Sequence, residues 1–224
     1  MKLPIIGILS GVALATLGIS SAAQAAILLP SLTPGSQYRL VFVTSGTRDA
    51  TSTNIADYNQ FVNNAAQAST NLNTALTTAG LTPSAINWTA IGSTAAVNAR
   101  VNTATRATDT SVPIYRLDAA TQVAAGNSDL WDGTILAEIS VDEGGNTQGR
   151  AGVWTGSTAL GATSAGRWLG STGGVGIGDL RRSDGGAAPG YRRSGRSCSV
   201  MGGYSLRNLI HRNRTNRHRY PRTL

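Results

Sequence analysis

Residues 37–44 read QYRLVFVT. Leu40, Phe42 and Thr44 alternate with Arg39, Val41 and Val43, and the run is rich in β-branched and aromatic side chains. Alternation with a period of two, with apolar residues in both series, predicts a well-buried strand. Working outward, the turn-like Ser45-Gly46-Thr47-Arg48-Asp49 leads to Ser52 or Thr53, either of which can cap a helix. In that helix Ile55, Tyr58, Val62, Ala65 and Ala66 fall at helical spacing with Phe61 alongside, so it is expected to pack on the first strand's sheet.

Further along, STNLNTALTTAGLTPSA (69–85) predicts a second short helix ended by Gly80 and Pro83. Ile86 to Ser93 reads as a short strand, followed by a helical turn through Ala95 to Arg100, and Val112 to Leu117 reads as another strand. DLWDGTILAEI and GVWTG place two tryptophans beside glycine turns, and GVGIGDL (174–180) reads as a loop, because no strand and no lysine accompany its Gly-x-Gly. No period of 20 to 50 residues is present, so the chain is not a repeat array.

The two ends differ from this body. Met1-Lys2, an apolar run from Leu3 to Ile19 and the small-x-small Ala23-Gln24-Ala25 predict a secretion signal over 1–25, cleaved between Ala25 and Ala26. The apolar run is too short for a membrane span. Charge is also unevenly spread. Eight bases face ten acids before residue 181, whereas eleven arginines face only Asp184 from there on, so the net +8 belongs to the tail. Cys198 is the one cysteine, so the body has no disulfide framework. The domain is thus expected over 26–180, with 181–224 a disordered, arginine-rich tail.

The series YRLVFVTSGTRDATSTNIADYNQFV, WTAIGSTAAVNARVNT, VPIYRLDAATQVA, DLWDGTI and GVWTG resembles, over residues 36–170, exported bacterial proteins that end in a PEP-CTERM sorting signal. More remotely, VPIYRL, LWDG and VWTG resemble the endostatin domain, a variant of the C-type-lectin-like fold. The resemblance implies an α+β domain with a mixed, mostly antiparallel sheet, packed helices, long irregular loops and a first strand paired with the last. It also implies Gram-negative bacteria that make exopolysaccharide, with extracellular polysaccharide or another envelope component as partner and the envelope or extracellular matrix as location.

The chain departs from that family after Gly176, where a late "LYAIS"-like strand, Pro-Glu-Pro and an apolar helix do not follow. Two explanations stay open. Shifting the frame one base forward turns Tyr204–Leu209 into codons compatible with Leu-Tyr-Ala-Ile-Ser, and Arg219–Leu224 into codons compatible with Val-x-Pro-Glu-Pro. In that case the domain's C-terminal strands are missing, and the edge beside Tyr38–Val43 is expected to be unpaired. Alternatively the tail is a basic arm for nucleic acid or acidic polysaccharide, although it lacks lysine and any helical face. Nucleic acid is the less favoured of these partners.

For chemistry, Asp129, Asp132, Glu138, Asp142 and Glu143 form the one acidic cluster, and with Asn127 and Asn146 they are the only set that could hold calcium. A solvated loop is the expected reading, with no cofactor or metal. There is no histidine before His211, no Gly-x-Ser-x-Gly and no His or Cys metal set. A non-enzymatic protein is therefore expected. The alternative is an exported glycan hydrolase, which would need Asp132 and Glu138 about 5 Å or about 6.5–9.5 Å apart. Phe42, Trp88, Trp131 and Trp154 are expected in the core. Trp168 is the tryptophan expected at the surface and, with Asp129 and Asp132, a binding candidate, while Arg100 and Asp132 are expected to pair.

Overall fold

A computed structural model describes residues 27–33, 35–118, 121–149 and 153–172, with the backbone of strands at 177–178 and 201–205. The signal segment with Ala25 and Ala26, and the tail apart from 201–205, lie outside the described residues.

The predicted first strand is β1 (Arg39–Val43), and all five of its residues are buried. Its alternation sends side chains into two cores. Leu40 and Phe42 join Tyr58, Val62, Leu72, Leu76 and Trp88 on one face. Val41 and Val43 join Ile91, Ile114, Val123, Leu130 and Trp131 on the other. A strand covered on both faces belongs inside a sheet. β1 does lie at the centre of five strands, ordered Thr89–Ala90, Met201–Ser205, Arg39–Val43, Ile114–Arg116 and Gln122–Ala124, in a mixed α+β architecture. β3 (Ile114–Arg116) runs parallel to β1 and β4 (Gln122–Ala124) antiparallel to β3, giving a three-stranded mixed unit. β7 (Met201–Ser205) and β2 (Thr89–Ala90) extend it on the other side. A separate ribbon pairs β5 (Val153–Trp154) with β6 (Ile177–Gly178).

Two late segments pair into the sheets. The edge beside Tyr38–Val43 is not open, because Met201–Ser205 pairs antiparallel with Arg39–Val43 over the whole length of the strand. This ladder is made of backbone groups, and the sequence Met-Gly-Gly-Tyr-Ser carries no alternation that would advertise it. These five residues also fall within the tail expected to be disordered. Ile177–Gly178, expected in a loop, is the partner of Val153–Trp154.

α1 (Ile55–Ala68) begins at Asn54, not at Ser52 or Thr53: the Asn54 side chain accepts the Ala56 N–H at 3.1 Å. Ser52 acts one step back, accepting the Asn54 N–H at 3.1 Å and donating to Asp57 at 2.7 Å. Tyr58, Val62 and Ala66 line the helix's buried stripe. Ser69 ends α1 by donating its N–H to Ala66, then caps α2 (Thr70–Thr78) by accepting the Leu72 N–H on its hydroxyl.

A second stripe of α1 is polar. Asn59, Asn63 and Gln67 recur every four residues and meet the segment that carries β2. Asn63 accepts the Trp88 N–H at 3.2 Å and Asn59 the Ala90 N–H at 2.8 Å. Gln67 donates to the carbonyls of Pro83 and Ile86. β2 is the outermost strand, and these amides occupy the hydrogen-bonding groups a neighbouring strand would otherwise take. β2 is correspondingly shorter than the strand expected over 86–93, and the helical turn expected at 95–100 forms later, as α3 (Ala99–Asn102). β4 and α4 (Asn127–Leu130) had no clear sequence signal. Among the described residues no helix is long and apolar enough to cross a membrane.

Candidate functional site

Past Val43 the chain leaves the sheet, and the loop 140–148 docks against that end: the Val43 N–H donates to the Val141 carbonyl at 3.0 Å. The loop is a tight turn built around Asp142. Its Oδ1 accepts the N–H groups of Gly144 and Asn146, each at 2.8 Å, and its Oδ2 accepts the Gln148 amide. A Cβ at residue 144 would lie 2.9 Å from the Asn146 side-chain nitrogen and 3.2 Å from Asp142 Oδ1, so a larger residue would press on both side chains. Three contacts pin the loop to its surroundings. Glu143 Oε2 accepts the Ser45 N–H at 2.9 Å, and Oε1 accepts the Ser45 hydroxyl. The Ser69 hydroxyl donates to the Glu143 carbonyl, and Asn71 donates to that of Gly144 at 2.8 Å.

The loop, the Ser45-Gly46 turn, one face of α1 and the start of α2 enclose an open groove of about 640 Å³. That is within the usual range for small-ligand sites, about 300–1,000 Å³. Phe61, half-buried against the first core, forms one wall. Asn64, Asn71 and Asn146 supply amides, and Asp142 and Glu143 are the charged residues of the lining, which contains no Lys, Arg or His. Arg48 lies nearby, but its guanidinium stacks 4.5 Å from the Tyr58 ring centroid and 6.0 Å from that of Phe61.

The five acids of the expected cluster are not brought together, and among the described residues no group of three His, Cys, Asp or Glu side chains is placed to hold a metal ion. Asp129 accepts the Ala125 N–H at 2.6 Å, and the exposed Asp132 accepts the Thr134 N–H at 2.9 Å. Glu138 is exposed, and neither it nor Asp132 lines the groove. The solvated-loop expectation fails for Asp142 and Glu143, which are 1% and 8% exposed because their own loop and Ser45 fold donors over them. Asn127, expected beside the acids, is buried, and its amide donates to the carbonyls of Arg106, Asp109 and Thr110.

The expected Arg100–Asp132 pair does not form. The ion pairs among the described residues are Arg106–Asp109 and Arg116–Asp118. Phe42 and Trp88 are buried edge-to-face with centroids 5.0 Å apart, and the buried Trp131 donates its indole N–H to Thr105 at 2.8 Å. Trp154 and Trp168 are both half-buried, and neither belongs to the groove. Of the groove residues, Asp142, Glu143 and Asn146 belong to the acidic set that the sequence marks as able to hold calcium and reads as a solvated loop. The signal for more was the alternation Asp142-x-Gly144-x-Asn146-x-Gln148, a carboxylate followed at every second residue by a donor able to turn back to it.

No protein-family model matches this chain, and a search of curated proteins finds no match.

Proposed function

We propose that this chain is the C-type-lectin-like domain of an exported surface or matrix protein, and that its groove holds an extracellular polysaccharide without transforming it. The observation that carries the reading is the groove's composition: the aromatic side chain of Phe61 lines the same open groove as three side-chain amides and two carboxylates. A sugar ring presents an apolar face to stack and a rim of hydroxyls to bond, and this lining supplies a partner for each. The motif resemblance to exported PEP-CTERM-type proteins supports the extracellular setting, and a first strand paired with the last described strand supports the lectin-like arrangement. The hydrolase alternative is less well supported, since Asp132 and Glu138 lie outside the groove and both oxygens of Asp142 are engaged by its own loop.

Affinity electrophoresis of the full chain through gels containing soluble extracellular polysaccharides tests this, in high salt that screens the arginine tail. Retardation that Phe61→Ala abolishes while the variant still melts cooperatively is the expected result. Retardation unchanged by that substitution, or absent from every gel, overturns the proposal.

A further inference from the structure

The groove's electrostatics narrow the polymer. Glu143 is 8% exposed, its two oxygens are held by the N–H and hydroxyl of Ser45, and Asp142 lies beside it at 1% exposed. Among the described residues neither carboxylate has an ion-pair partner, the ion pairs there being Arg106–Asp109 and Arg116–Asp118. The groove therefore carries negative charge between low-dielectric walls, where charge acts at longer range than in water. A polysaccharide bearing uronate, pyruvate or sulfate would bring like charge into that field. A protonated amine would bring the opposite charge and three donors, for which the amide oxygens of Asn64 and Asn146 are suitable acceptors, with Asp142 and Glu143 acting through their charge.

We infer that the groove selects an amine-bearing glycan, a hexosamine polymer with free amino groups. The inference rests on the groove being the polysaccharide site proposed above. It runs against the tail's charge, so acidic polymers attracted by the arginines are not the groove's ligand.

The test is calorimetric titration of the full chain with three oligosaccharides of matched length: glucosamine with free amines, its N-acetylated counterpart, and an alginate fragment. The free-amine form is expected to bind about tenfold more tightly than the acetylated form, the gain of one charge-assisted contact. Raising the pH through the ligand's amine pKa should erase that advantage. Glu143→Gln should weaken the free-amine form about tenfold more than the acetylated form. Asn64→Lys, at an exposed position on the rim, should do the same without loading the buried loop. If both sugar forms bind equally and Phe61→Ala weakens both, the groove reading stands and the amine selectivity falls. If neither binds, both readings fall. Alginate binding that Phe61→Ala weakens also overturns the selectivity.

Discussion

Asn59 Oδ1 accepts the backbone N–H of Ala90 at 2.8 Å, so a helix side chain stands where the outermost strand would otherwise need a neighbour. The same oxygen accepts the Asn102 amide at 2.7 Å, while Asn102 donates to the Ala90 carbonyl at 2.7 Å. Two amides thus close both polar groups of one strand residue. Asn59→Ala should cost about 1–3 kcal/mol, the usual effect of leaving buried donors without a partner. Urea denaturation checks this, with the exposed Gln60→Ala as a control expected to stay within about 0.5 kcal/mol. Amide exchange at Ala90 should accelerate in the first variant and not in the second.

Gly161 lies against the face of Trp131. Its φ is +68°, and a Cβ there would sit 2.6 Å from the indole. Gly161→Ala should cost about 2–4 kcal/mol, combining a left-handed backbone with an overfilled contact. Gly166 shares the φ of +68° but would point a Cβ into open space, so Gly166→Ala should cost only about 1–2 kcal/mol. Equal losses by thermal melting would show that Trp131 is not held where this packing puts it.

Burial pushes the Asp118 carboxyl upward, yet the hydrogen bond and charge of Arg116, with the Thr121 hydroxyl, hold it below the usual aspartate value. A carboxyl lowered by folding contributes stability above its unfolded pKa and loses it as pH falls through the lower folded value. The melting temperature should therefore decline on acidification below the ordinary aspartate range, and Asp118→Asn should make that decline shallower. Arg116 also donates at 2.8 Å to the Glu138 carbonyl, so Arg116→Ala should loosen the 138–140 segment at neutral pH as well.

The arginine tail makes a prediction about the gene. Reading the encoding DNA from the Trp168 codon past that of Leu224, the frame one base ahead should be open and should give a Tyr-Ala-Ile-Ser-like strand, Pro-Glu-Pro and an apolar helix. The strand so encoded would begin within the residues that already occupy the slot beside β1, at Ser205. Stops in that frame would make the eleven arginines a real feature, and binding of anionic polymer that weakens steeply with salt would then be expected.

What was legible in the sequence was what side-chain pattern encodes. The alternation in QYRLVFVT marked a strand able to divide two cores, and the spacing of Tyr58, Val62 and Ala66 marked the helix packed on one of them. What was not legible depended on backbone or on distant partners. β7 is recruited through peptide groups across two adjacent glycines, and β4 has only three residues on which to show a period. The helix cap moved to Asn54 because Ser52 was engaged with Asn54 and Asp57, a local competition that residue type does not resolve. The groove was hidden for a related reason: a pair of acids in a glycine-rich stretch reads as solvated until Ser45 and Ser69, far away in sequence, are seen to close over the loop.

The pairing of Arg39–Val43 with Met201–Ser205 also fixes the order of assembly during synthesis. A nascent chain that has emerged as far as Ala124 can join β1, β3 and β4, but the other side of β1 stays unsatisfied until Ser205 appears, and β2 is joined to the sheet only through β7. Closing such a distant contact is slow, because the loop entropy is lost before the ladder forms. For that interval the most apolar strand of the protein offers a bare hydrogen-bonding edge, and the same five-residue segment of a neighbouring copy fits it as well as the chain's own. Crowding of nascent or refolding chains, more than the stability of the finished domain, is then expected to promote exchanged dimers.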